Sequence, residues 1–185
     1  MIDTHLIKEV KNFVYSQKYP SRFHIDLSKQ KGQQLAKGLG ANGKIVLLGT
    51  LLMDCMLSKA ISEGKLSKHI GMSERKANQL LSKYSDISEG EKENILCCIR
   101  EHHGVKKFSS LEAEICCNAD CYRFASIAGV IGGIKSSGEI GVEEIVELYK
   151  NKLDEKWGAL SIGVCKIELK PQYRAIKNFL ENFRK

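Results

Sequence analysis

The sequence is poor in the residues that break or cross-link a chain. Two prolines occur in 185 residues, and the 16 glycines are scattered, which excludes collagen-like and linker-like chains. No Cys-x-x-Cys spacing exists among the seven cysteines, an odd number with four in the adjacent pairs Cys97-Cys98 and Cys116-Cys117. A structural zinc site and a disulfide framework therefore lack support, and small, buried, reduced thiols are expected, as in a cytoplasmic protein. Met1 to Pro20 mixes acidic and basic residues and has no apolar signal core. The longest apolar stretch, Ile45 to Leu57, falls short of the roughly 20 residues a bilayer span requires. No membrane association is expected.

What the chain does have is enough apolar material for a core, 43% of residues, and a formal net charge of +7. The charge favours anionic ligands. Apolar residues recur at helical spacing: Ile2, Leu6, Val10 and Phe13 form one stripe. Pro20 suits the first turn of a second helix through His24, Leu27, Leu35 and Leu39, ending in Gly40-Ala41-Asn42-Gly43. Ile45 to Leu57 predicts a central buried helix whose one charge is Asp54. Ser73 is a plausible cap for a helix through Ala77 and Leu81, and Ser88 to Glu91 has capping-box form before Ile95, Ile99 and His103. Ser109 to Glu112 predicts a second capping box opening a run to Phe124, with Gly129, Gly132 and Gly133 ending it or allowing close packing. Val142 to Trp157 reads as an amphipathic helix, and Pro171 as the first turn of a last one ending near Phe183. Neither strand alternation nor an internal repeat is evident. One all-α domain, a compact multi-helix bundle over residues 1–185, is the expected architecture.

A carboxylate inside an apolar helix is costly without a compensating charge, metal or hydrogen bonds. Asp54 therefore needs partners. Four of the five histidines, His24, His69, His102 and His103, fall on the segments around it, and imidazole with carboxylate is a common donor set for divalent metals.

In order and register over roughly residues 20 to 135, these residues resemble the HD-domain superfamily of metal-dependent phosphohydrolases. His24 precedes Ser28, Gly32, Leu35-Ala36 and Gly40; Leu51-Leu52-Met53-Asp54 stands where the family has Leu-Leu-His-Asp, with methionine for the histidine. His69-Ile70-Gly71-Met72-Ser73, Ile99-Arg100-Glu101-His102-His103, and Glu112-Ala113 with Ala119-Asp120 follow in the family's sequence. The segment from Glu155 through Arg184 is compatible with the same fold, giving a core over about 20–135 with C-terminal helices from 138 to 185 packed on it.

The resemblance implies that His24, Asp54 and Asp120 would ligate one divalent metal, with the fourth ligand lost at Met53. His69, His102 and His103 would serve a second metal that Asp54 bridges. A thioether is a poor ligand for harder divalent ions, so the expectation is one metal on Asp54, His69, His102 and His103, with weak or no occupancy beside His24 and Asp120. Mn, Fe, Co, Ni, Zn and Mg all remain open. The implied reaction is hydrolysis of a nucleotide or other small phosphate ester, with Asp54 and Asp120 orienting water. Where family members carry a phosphate-binding Gly-Lys, this chain has Met56-Leu57, leaving Lys59 nearby as a substitute.

Two other functions compete. Degenerate HD domains can act as inactive binding or signalling modules for a nucleotide or a protein partner. Lys29, Lys31, Lys37, Lys65, Lys68, Arg75 and Lys76 could serve nucleic-acid binding, although no such motif occurs and aromatics make up only 7%. Retention of His69, His102 and His103 favours hydrolysis. A homodimer through the C-terminal helices is compatible with the sequence.

Overall fold

The structure, a computed structural model, describes residues 4–138 and 140–183. Ile2 and Arg184 lie outside the described residues. Every regular element among those described is helical: α1 (Thr4–Tyr15), α2 (Arg22–Leu39), α3 (Gly43–Leu52), α4 (Leu57–Ser62), a 3₁₀ turn (Leu66–Lys68), α5 (His69–Leu81), α6 (Glu89–Glu101), α7 (Leu111–Ala125), α8 (Ile127–Lys135), α9 (Val142–Ala159) and α10 (Gly163–Asn182).

Helix α7 is the axis, packing against α2, α3, α6, α8, α9 and α10. Its sequence explains that position. Ala113, Cys116, Cys117, Ala119 and Cys121 are small and buried on successive faces, so neighbouring helices approach closely. Gly49 of α3 completes the contact, since a Cβ there would fall 2.7 Å from Cys116 Sγ and 2.7 Å from Cys98 Cβ. All seven cysteines are free and buried.

Local signals set most boundaries. Gly40 ends α2 at φ 71°, a conformation glycine adopts without strain. Ser88 and Glu91 form the reciprocal capping box at α6. Ser110 also caps α7, accepting from the Ala113 N–H. The second capping box does not form, because Glu112 instead accepts from the Asn42 N–H and Asn94 Nδ2.

Other expectations are corrected. Pro20 precedes the helix rather than entering its first turn; Ser21 is the N-cap, accepting from the His24 N–H. Ser73 lies inside α5, where its Oγ accepts from the Met56 N–H at 3.2 Å. Pro171 lies inside α10, because the buried stripe Cys165, Leu169, Ile176 and Leu180 continues through it and packing outweighs the lost hydrogen bond.

The central apolar helix is shorter than expected: α3 stops at Leu52, a turn runs from Met53 to Met56, and α4 restarts at Leu57. By length and composition Gly43–Ser62 could cross a membrane, but most of its apolar part is buried inside the fold, where it forms core. Asp54 sits in the turn, not within the helix.

Candidate metal centre

Local backbone bonds, with Ser73 Oγ accepting from the Met56 N–H, close the turn after α3. Met53 N–H donates to Gly49 O, Cys55 N–H to Leu52 O, and Leu57 N–H to Asp54 O. The Asp54 side chain is thereby fixed in the interior at 8% exposure, with its two oxygens facing different partners. Oδ2 lies 2.6 Å from Arg123 Nη1. Oδ1 lies 3.4 Å from His69 Nε2 and 3.5 Å from His102 Nε2.

His69 opens α5 and His102 caps α6. Each holds its Nδ1 2.7 Å from a backbone carbonyl, Leu66 O and Ile99 O respectively. Those carbonyls can only accept, so the hydrogen bonds assign a proton to each Nδ1 and turn each Nε2 toward Asp54. The His102 side chain is fully buried, and its Nε2 has no hydrogen-bond partner. His103 follows directly, and donor atoms of His69, His102 and His103 all lie within 4.8 Å of one another. Burial, with the Lys156 charge nearby, pushes the His103 pKa down to about 3, keeping that imidazole neutral.

This donor set fits a divalent ion. An unpartnered buried imidazole nitrogen is costly, and neutral imidazoles beside a carboxylate suit Mn, Fe, Co, Ni or Zn better than Mg. Two ligand atoms about 2.1 Å from one tetrahedral ion stand about 3.4 Å apart, close to the separations of Asp54 Oδ1 from the two Nε2 atoms.

The expected ligands His24 and Asp120 line the same cavity, but their side-chain atoms are engaged by other partners. Asp120, 1% exposed, has Oδ1 2.7 Å from Arg123 Nη1 and Oδ2 2.6 Å from Lys156 Nζ. The Lys156 contact is an ion pair off the line of a hydrogen bond. His24 Nε2 is 2.9 Å from Gly129 O, which also accepts from the Tyr149 hydroxyl at 3.1 Å. Burial and then Arg123 draw the His24 pKa down to about 4. Burial opposes ionisation of both carboxyls, yet Arg123 holds Asp54 well below the usual range, and Lys156 with Arg123 does the same for Asp120. Both acids are therefore ionised, and two buried cations balance them.

Lys59 is not at the site. Its side chain is 56% exposed and pairs with Glu63 at 2.8 Å. Sequence reasoning also missed Arg123 and Lys156. Arg123 had a local signal, being three residues after Asp120 on one helix face; Lys156 comes from α9 and had none. Of the lysines suggesting nucleic-acid binding, Lys31 pairs with Glu168, Lys65 with Glu63, and Lys29 with Asp26.

A cavity of about 360 Å³ opens onto this centre. His24, Asp54, His69, His103, Asp120 and Arg123 line it together with Leu57, Ile61, Leu66, Phe124, Ile145 and Leu148, with Lys152 also on its wall. A second depression of about 460 Å³, at Lys31, Tyr122 and Glu168, gathers no comparable donor set.

No protein-family profile matches the chain, and no curated protein is similar in sequence. Solved structures are similar in fold. A Lactobacillus plantarum protein matches 100% of this chain and 97% of its own length, at 15% identity and a TM-score of 0.73. A Listeria innocua protein matches the same shares at 15% identity and a TM-score of 0.66. A protein from an uncultured Thermotogales bacterium, described as a predicted HD superfamily hydrolase, matches 97% of this chain and 89% of its own at 14% identity and a TM-score of 0.61. The chain shares its fold with these solved structures, one of them described as a predicted HD superfamily hydrolase, and is all-α throughout the described residues.

Proposed function

We propose that this chain, which has the fold of the HD hydrolases, is a metal-dependent phosphohydrolase acting on a nucleotide or another small phosphate ester. Asp54, His69 and His102, with His103 beside them, would hold one divalent metal. The observation that carries this is the fully buried His102 Nε2, unpartnered and 3.5 Å from Asp54 Oδ1. When bound, such an ion lowers the pKa of water and offsets charge on a phosphate.

The surrounding charges support a phosphate ligand. Asp54 and Asp120 are balanced by Arg123 and Lys156, and His24 and His103 are held neutral. A divalent ion therefore makes the floor net positive, in a cleft whose apolar walls strengthen its attraction for an anion. Arg123 lines the cavity and its buried Nε has no protein partner; guanidinium groups match phosphate oxygens well. Asp54 is placed to orient a water beside the histidines. Asp120 is tied to two cations, so its role is to position Arg123 and Lys156.

The test is metal content of untagged protein by plasma mass spectrometry, followed by a panel of nucleotides and phosphate monoesters with manganese, iron or cobalt. Near one metal per chain with turnover that falls in His69→Ala supports the proposal. Metal binding without turnover would favour the inactive binding module, for which the loss of a histidine at Met53 is the specific motive. No metal after reconstitution would defeat the proposal.

A further inference from the structure

Asp54 is shared between two cation positions. Its Oδ1 faces His69 and His102, while its Oδ2 and Asp120 Oδ1 converge on one nitrogen, Arg123 Nη1, at 2.6 and 2.7 Å. Two buried carboxylates meeting at a point repel strongly unless a cation stands between them. The donors around Arg123 are those a divalent ion would also use, with His24 on the same cavity wall.

We infer that Arg123 is a built-in cation in this second position and limits the centre to one metal ion per chain. A guanidinium stays protonated at any physiological pH and cannot be chelated or exchanged. The Arg123 side chain is 6% exposed, and its guanidinium lies 5.4 Å from the centre of the Phe124 ring, so the group is held by packing as well as charge. The position is thus filled whatever the metal supply, whereas occupancy at the histidines varies with it.

The inference rests on the proposed histidine centre, and one experiment separates the two. Manganese binding is measured by equilibrium dialysis and electron paramagnetic resonance for wild type, Arg123→Ala and Arg123→Ala/Asp120→Asn. The expected result is one uncoupled Mn(II) per wild-type chain, two spin-coupled ions in Arg123→Ala, and a return to one in the double variant. One ion in both wild type and Arg123→Ala would overturn the inference while leaving the histidine centre intact, and two in wild type would also overturn it. None in wild type but one in Arg123→Ala would defeat the histidine centre and uphold the role of Arg123. None in either would defeat both. If Arg123→Ala fails to fold, Arg123→Gln, which keeps donors but removes the charge, carries the same comparison.

Discussion

Lys156 Nζ lies 2.6 Å from Asp120 Oδ2, and both side chains are 1% exposed. At that depth neither charge is tolerable alone. Removing one member of such a pair typically costs about 3–5 kcal/mol, because the other is left buried and uncompensated. Arg123 still serves Asp120 when the lysine is gone, so Lys156→Met should fall near the lower end of that range. Urea unfolding at neutral pH measures it. Lys156→Met combined with Asp120→Asn should lose less than the two separate effects together, since the charges are removed as a unit. A Lys156→Met loss below about 1 kcal/mol would show that the pair is not stabilising the fold in the way its burial implies.

Metal retention should divide the histidines. His69 and His102 direct Nε2 at Asp54, whereas His24 Nε2 is bound to Gly129 O. His69→Ala should therefore lower bound metal by tenfold or more, since even the outer-shell partners of ligands are worth about 10- to 100-fold, while His24→Ala should leave it within about twofold. Lys59→Ala should change neither metal content nor turnover, because its side chain is exposed and paired with Glu63. Metal retained in His69→Ala and lost in His24→Ala would reverse the assignment. Dialysis followed by plasma mass spectrometry reads all three variants.

The helical periodicity, the Gly40 stop and the capping box at Ser88 were legible because each is a local property of the chain. Ser73 misled for the same reason. Its preference for caps is local, but its hydroxyl is used by the Met56 N–H from across the fold. Histidines at 69, 102 and 103 could be picked out by residue type, and the fold brings them together. Charge compensation was harder to see: Asp54 plainly needed a partner, but Arg123 is 69 positions away, and Lys156 reaches Asp120 from another helix. A sequence states that a buried acid must be neutralised, while only the packing says by whom.

Glycines of α8 set the shape of the cavity. A Cβ on Gly133 would lie 1.8 Å from the Tyr149 hydroxyl and 3.0 Å from His24 Cε1, so Gly133→Ala must displace side chains beside the centre. A loss of about 1–3 kcal/mol is expected, the usual cost of overpacking, together with weaker ligand binding. Gly158→Ala is the contrasting control. That position lies inside α9 with nothing within 4 Å of the added Cβ, so it should gain up to about 1 kcal/mol of helix propensity. Thermal and urea unfolding of both variants check the signs. Equal effects would mean that α8 can move away from Tyr149 without cost.

The acid side of the stability profile follows from the same centre. In metal-free protein, the folded state holds His24 neutral down to about pH 4 and His103 down to about pH 3, whereas both titrate near pH 6.5 when unfolded. Below 6.5 the unfolded chain thus binds more protons, and stability falls as pH falls. The contribution of His24 is complete above pH 6.5 and is lost progressively down to about pH 4, an effect on the order of 3 kcal/mol at 1.36 kcal/mol per pH unit. Asp54 and Asp120, held below their ordinary range, act in the same direction at lower pH, since their stabilisation is lost as they protonate. Urea midpoints measured in chelator should therefore be level near pH 7 to 8 and decline steadily from about pH 6.5. In His24→Phe the slope between pH 6 and 4.5 should shrink by nearly one proton. A wild-type profile flat to pH 5 would mean that the imidazoles are solvated in the folded chain, contrary to their burial beside Arg123 and Lys156.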